Sequence, residues 1–227
     1  MTIPETSPLP SALVDRVRAL LDGPSRRSAG GPEPSDGAAH RRLLGITGAP
    51  GAGKSTVSAR LAEAFGADCV VVPMDGFHLA QTTLERLGRA DRKGAPDTFD
   101  AAGFVALLRR LRRPVDGETV WAPEYRREAH NAIAGALAVP PDVPLVVVEG
   151  NYLLVREHGF GPVAELLDET WYVTVDDEVR LERLIARHVR FGKAPDAART
   201  WSMGPDEANA RLISATADRA DLVVDPG

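Results

Sequence analysis

The chain has 227 residues, 44% hydrophobic and 26% charged, which suits one ordinary soluble domain, with or without an appendage. A net charge of −5 argues against a nucleic-acid binder that relies on bulk positive charge, and no apolar run approaches the ~20 residues of a membrane span. Met1 to Pro10 lack the basic-then-apolar order of a signal peptide, and Cys69 is the single cysteine. A disulfide framework or thiol metal cluster is therefore excluded, and a cytoplasmic protein without nucleic-acid or membrane partners is expected.

Leu9, Leu13, Val17, Leu20 and Leu21 share one helical face, which predicts an N-terminal helix within residues 1–22 that packs on the main body. Residues 23–40 turn to Gly, Pro, Ser and charge, from which no core can be built, so a flexible linker is expected there and the main domain over 41–227. Leu43 to Thr47 read as a buried strand, and Val57, Leu61, Ala62 and Phe65 as a helix stripe. Between them, Gly48-Ala49-Pro50-Gly51-Ala52-Gly53-Lys54-Ser55 has the G-x-x-x-x-G-K-[ST] spacing of a P-loop. Glycines let successive backbone N–H groups turn inward onto a polyphosphate, and the following helix adds its positive end. Gly48, Ala49, Pro50, Gly51, Ala52, Gly53, Lys54, Ser55 and Thr56 are the candidate nucleotide-binding residues. Lys54 would reach the β- and γ-phosphates, and the Ser55 hydroxyl would hold Mg²⁺.

Cys69 to Met74 form a second buried strand that delivers Asp75 to the rim where doubly wound sheets bind ligands. A carboxylate there can orient or deprotonate an attacking hydroxyl, although an Asp-Gly turn also ends many strands. Residues 80–98 lack periodicity and read as a loop carrying Lys93; Asp100 caps a helix whose stripe is Phe104, Leu107, Leu108 and Leu111, stopped by Pro114. Residues 119–127 read as a short strand entering a polar loop, a substrate pocket or an amphipathic edge. Pro144 to Gly150 is the clearest central strand, and it carries Glu149, a candidate metal ligand beside Ser55, to the same rim. Asn151 and Tyr152 would line the pocket floor.

Trp171 to Val175 is the next strand, and Asp176-Asp177 opens a helix buried through Leu181, Leu184 and Ile185. Arg183, Arg187 and Arg190 share another face of that helix, and the row runs into Phe191-Gly192-Lys193, where a hinge is plausible. A solvated charged face is the usual explanation for such a row; after a P-loop, an arginine-lined helical lid over transferring phosphate is favoured. Pro205 opens a last helix, and Ala220 to Val224 form a closing strand. Nearly all basic residues are arginine: the only lysines are Lys54, Lys93 and Lys193, which marks the last two as functional suspects.

GAPGAGKST (48–56), MDGFHL (74–79), RKGAPDTFD (92–100), PEYRREAHNAI (123–133), VVVEGNYLL (146–154) and RLERLIARHVRFGK (180–193) together resemble a known family. It is the family of P-loop kinases that contains uridine kinase, phosphoribulokinase and bacterial pantothenate kinase, in its bacterial nucleoside/nucleotide kinase-like or fructose transport system kinase-like branch. The likeness covers Arg42 to Val224. It implies an α/β P-loop NTPase fold, a doubly wound and mostly parallel sheet flanked by helices, with a helical lid. It also implies ATP and Mg²⁺, with Asp75 as the catalytic carboxylate, Glu149 as a second acid near the metal, and Arg187 and Arg190 in the lid. Tyr125 and Asn151 match the substrate side, and Arg92 and Lys93 the loop that approaches the acceptor. Residues 123–130 depart from uridine and pantothenate kinases where those contact substrate, so neither substrate is implied.

The expected function is an ATP-dependent kinase acting on a hydroxyl of a small molecule: a nucleoside, a sugar or a pantothenate-like alcohol. Lys54, Asp75, Glu149 and Arg187 are the candidate catalytic residues. The alternatives are an NTP-hydrolysing switch, against which the absence of Asn-Lys-x-Asp counts, and a nucleotide-binding regulator associated with sugar transport. Monomer and homodimer both remain open.

Overall fold

The structure, a computed structural model, describes residues 8–23, 41–126 and 128–226. The linker expected over 23–40 lies outside these residues, apart from Gly23. In chain order the elements are α1 (Ser11–Asp22), β1 (Arg42–Thr47), α2 (Lys54–Phe65), β2 (Cys69–Pro73), α3 (Gln81–Arg86), α4 (Ala101–Arg112), β3 (Val120–Arg126) and β4 (Asn131–Val139). They continue with β5 (Leu145–Glu149), α5 (Val163–Leu166), β6 (Glu169–Val173), α6 (Asp177–Arg190), α7 (Pro195–Met203), α8 (Pro205–Ser214) and β7 (Leu222–Val224).

Five strands form a parallel sheet in the order β2-β5-β1-β6-β7. Alternation of side chains across the pleat divides the core into two layers. Leu43, Val146 and Val148 face α4, with Phe104 and Leu108, while Leu44, Ile46, Leu145 and Val147 face α2 and α1, with Val57, Leu61 and Val17. The strands are apolar runs because both faces are covered, as parallel sheets require. Helix α1 closes the second layer: Leu13, Val14, Leu20 and Leu21 pack on it, and the Arg42 guanidinium donates to the Leu20 carbonyl (3.0 Å) and to that of Gly23. Buried Cys69 belongs to this layer, and burial pushes its thiol up to about 12, so it stays protonated and unreactive.

Register positions the chemistry. Glu149 pairs with Ile46 on one side and Pro73 on the other, so the ends of β1, β2 and β5 lie level. The P-loop, Asp75 and Glu149 therefore emerge at one carboxyl edge, where open α/β sheets bind ligands. The helix starts follow the sequence: Asp100 accepts from the Gly103 amide (2.8 Å) and Asp176 from that of Glu178 (2.8 Å).

Three segments differ from expectation. Residues 80–98 hold the short helix α3, too brief to leave a periodic signal. Strand β4 pairs antiparallel with β3 in a hairpin apart from the main sheet; with its middle exposed, its Ala- and Gly-rich sequence needs no apolar alternation. Helix α7 follows directly after the Phe191-Gly192-Lys193 turn, opened by Pro195. Among the described residues no helix is long and apolar enough to cross a membrane.

Candidate active site

A cavity of about 730 Å³ lies at the carboxyl edge, lined on one side by Gly51, Gly53, Lys54, Ser55 and Thr56. Gly53, at φ 97°, is the left-handed residue that caps α2, a conformation that only glycine adopts at little cost. Lys54 is buried, and its ammonium donates to the carbonyls of Gly48 (2.8 Å) and Ala49 (3.1 Å). Burial lowers its pKa from the usual 10.5 to about 8; Glu149 opposes the fall, Arg187 adds to it, and Asp75 opposes it. A desolvated ammonium among P-loop amides is poised for a polyphosphate, whose charge would reverse that penalty.

The Ser55 hydroxyl donates to Glu149 Oε1 at 2.9 Å, so the start of α2 and the end of β5 bring together the two residues expected to hold Mg²⁺. Both offer hard oxygen donors, which suits this ion. No cluster of three or more His, Cys, Asp or Glu side chains fit to hold a metal occurs among the described residues. Ser55 and Glu149 would hold the ion through a hydroxyl and a carboxylate oxygen, and Mg²⁺ commonly takes water and phosphate oxygens besides.

Asp75 lines the cavity on a one-turn 3-10 helix after β2. His78 folds back beneath it, with Nδ1 2.9 Å from the Asp75 carbonyl and 4.0 Å from its carboxylate, and its ring lies 5.0 Å from that of Tyr125, tilted by 45°. Gly76 makes this turn possible for a steric reason: a Cβ there would stand 2.3 Å from the Pro123 carbonyl oxygen of β3. Replacing Gly76 with Ala forces hairpin and turn apart, and overpacking of this kind costs about 1–3 kcal/mol. Urea titration of Gly76→Ala should show that loss.

On α6, Arg183 and Arg187 line the cavity, with Arg183 Nη1 3.9 Å from where a Cβ on Gly53 would sit. Arg190, expected beside them, does not. Its guanidinium lies over the Phe191 ring instead, although Phe191, Gly192 and Lys193 just after it line the cavity. The lid's base is tied to the P-loop by buried Arg180, which donates to the Pro50 carbonyl (3.4 Å) and pairs with Glu207 of α8 (2.7 Å).

Lys93, Tyr125 and Asn151, the residues expected on the substrate side, also line the cavity. Arg92 is outside it, because Asp97 draws its guanidinium away at 2.9 Å. Tyr152 is in the core rather than on the pocket floor, its hydroxyl donating to the Gly94 carbonyl. Ala49 and Ala52 are buried beneath the P-loop. Residues not anticipated also reach the cavity: Trp201 from α7, and Asp206 and Asn209 from α8, with Asp206 2.7 Å from His188 Nε2. No local pattern marks them, since only the packing of α7 and α8 on α6 brings them in.

This constellation has known counterparts. The model of the phosphoribulokinase/uridine kinase family matches residues 43–226. The chain belongs to that family. It is 34% identical over 161 residues to a candidate uridine kinase of Schizosaccharomyces pombe, spanning 67% of this chain and 68% of that one. A uridine kinase of Clostridium perfringens is 32% identical over 65% of this chain and 68% of its own. Among solved structures, a candidate fructose transport system kinase from Silicibacter sp. TM1040 has 38% identity and a TM-score of 0.77, covering 93% of this chain and 98% of that one. Family membership makes the chain a P-loop kinase, a phosphotransferase acting on a small-molecule substrate.

Proposed function

We propose that the protein transfers the γ-phosphate of ATP to a hydroxyl of a small molecule seated between Asp75 and the β3–β4 hairpin. The observation that carries this reading is one cavity that joins the P-loop lysine, the Ser55–Glu149 pair and a strand-end carboxylate facing a second, non-phosphate side. The P-loop amides and Lys54 bind the β- and γ-phosphates. Asp75 accepts the proton of the acceptor hydroxyl as its oxygen bonds to the γ-phosphorus and the bond to the ADP oxygen breaks. Arg183 and Arg187 answer the charge on the transferring group, and α6 to α8 keep water, the competing acceptor, out of the site. Ser55 and Glu149 would hold Mg²⁺, whose chemistry when bound would be charge neutralisation on the phosphate oxygens.

The names of the relatives point to a nucleoside and to sugar transport, so uridine and fructose belong in the first panel. ADP formation by purified protein with ATP and Mg²⁺ should rise at least tenfold over background with one class of alcohol. A slow rate that no alcohol changes would favour an NTPase switch or a transport regulator.

A further inference from the structure

We infer that the acceptor carries, beside its reacting hydroxyl, an anionic group, a carboxylate or a phosphate, held by Lys93 and Lys193. The inference rests on the kinase reading above and adds the charge class of its second substrate.

The chain meets its need for surface positive charge with arginine and has three lysines, and all three line this one cavity. Lys54 belongs to the P-loop, and Arg183 beside Gly53 joins it there; these already answer the charge of the nucleotide. Lys93 and Lys193 are cations beyond that requirement, and an ammonium is the compact, adaptable donor that suits a small anion.

Lys93 is fixed in place. Its Nζ donates to the His130 carbonyl at 2.8 Å and to Gln81 Oε1 at 3.3 Å, and lies 5.4 Å from the Tyr125 ring centroid. His130 holds a left-handed conformation, φ 50°, that few residues but glycine adopt, and strain of this kind collects at ligand sites. Both acceptors are neutral, so they orient the ammonium without cancelling its charge, and a third donor remains. Burial lowers the pKa of Lys93, a penalty that an incoming anion would reverse. Contacts run unbroken from this lysine through Tyr125 and His78 to Asp75, which places it on the acceptor side.

Lys193 lies 4.3 Å from the Trp201 ring centroid, an aromatic seat that likewise orients a cation without neutralising it. Of the carboxylates that line the cavity, Asp206 is paired with His188 and Glu149 accepts from Ser55, while Asp75 is the one the proposed reaction uses. Neither lysine forms an ion pair with an acidic residue among those described. Two oriented ammonium groups in a concave site, neither in an ion pair among the described residues, suit an anion better than a neutral sugar or nucleoside.

The test uses the full chain with ATP and Mg²⁺ and acceptors matched except in charge: glycerol, glycerate and glycerol 3-phosphate; ribose, ribonate and ribose 5-phosphate; and neutral uridine and fructose. ADP and phosphorylated product are both measured. The anionic members should exceed their neutral parents in kcat/KM by about a hundredfold, as two charge-assisted contacts allow; which anion wins separates carboxylate from phosphate. Lys93→Met and Lys193→Met should each raise the acceptor KM about tenfold, with a smaller effect on the ATP KM, and should erode the anion preference. Lys93→Arg should keep part of that preference. Equal use of uridine or fructose, or lysine variants that act on the ATP KM alone, would overturn the inference and leave the kinase reading standing. ADP released equally with every compound and with none would remove both.

Discussion

Asp75→Asn is expected to bind ATP as the parent does and to lose phosphoryl transfer by about a thousandfold, the range over which a positioned general base acts. The amide keeps the shape of the side chain and its place on the turn after β2, so the P-loop, the Ser55–Glu149 pair and the buried Lys54 stay as they are. What disappears is an oxygen able to take the hydroxyl proton. Thermal-shift titration with ATP and Mg²⁺ should give the same affinity for both proteins, while the acceptor-dependent rate collapses. Loss of nucleotide binding together with the rate would mean that Asp75 holds the rim together rather than serving the acceptor.

Lys54→Met should have opposite effects on stability and on binding. The folded protein holds this ammonium at a pKa near 8 against its ordinary 10.5, chiefly by burial. The unfolded chain therefore binds the extra proton between those values, and the penalty is fully present below pH 8 and relieved as pH rises toward 10.5. A shift of that size corresponds to about 3 kcal/mol. Loss of the hydrogen bonds to Gly48 and Ala49 offsets part of it, leaving Lys54→Met more stable by about 1–2 kcal/mol at pH 7 without nucleotide. Urea denaturation at pH 7 and pH 10 should show that advantage shrinking at the higher pH. With saturating ATP and Mg²⁺ the order reverses: the parent gains roughly 5–10 °C, as binding near a hundred times Kd provides, and the variant gains almost nothing. A variant less stable than its parent at pH 7 would show that Lys54 serves the fold first.

The parts of the site legible in the sequence are those that local chemistry dictates. Apolar runs ending in Asp75 and Glu149 announce strands that carry acids to one edge, and the P-loop spacing names its own geometry; the register of β1, β2 and β5 then makes these ends level. Asp100 and Asp176 mark helix starts because an N-cap needs only neighbours in sequence. The misses share a different cause. Strand β4 stands off the sheet with too little burial to impose alternation. Arg190 shares a helix face with Arg183 and Arg187, but periodicity does not say which side chains of a face enter a cavity, and this guanidinium lies over the Phe191 ring. Tyr152 follows a rim residue yet turns into the core, where its ring packs against Phe99 and Phe160. Asp206, Asn209 and Trp201 arrive by tertiary packing alone. The rarity of lysine was the one compositional signal that crossed this gap, since Lys93 and Lys193 sit far apart in the chain and line the same cavity.

The most direct test of the kinase reading follows both products of ATP turnover by phosphorus NMR, with Mg²⁺ and the matched acceptors present. The account predicts a phosphomonoester resonance that grows in step with ADP, requires one acceptor class, and is absent with Asp75→Asn. Inorganic phosphate growing in step with ADP, whatever alcohol is added, would contradict it.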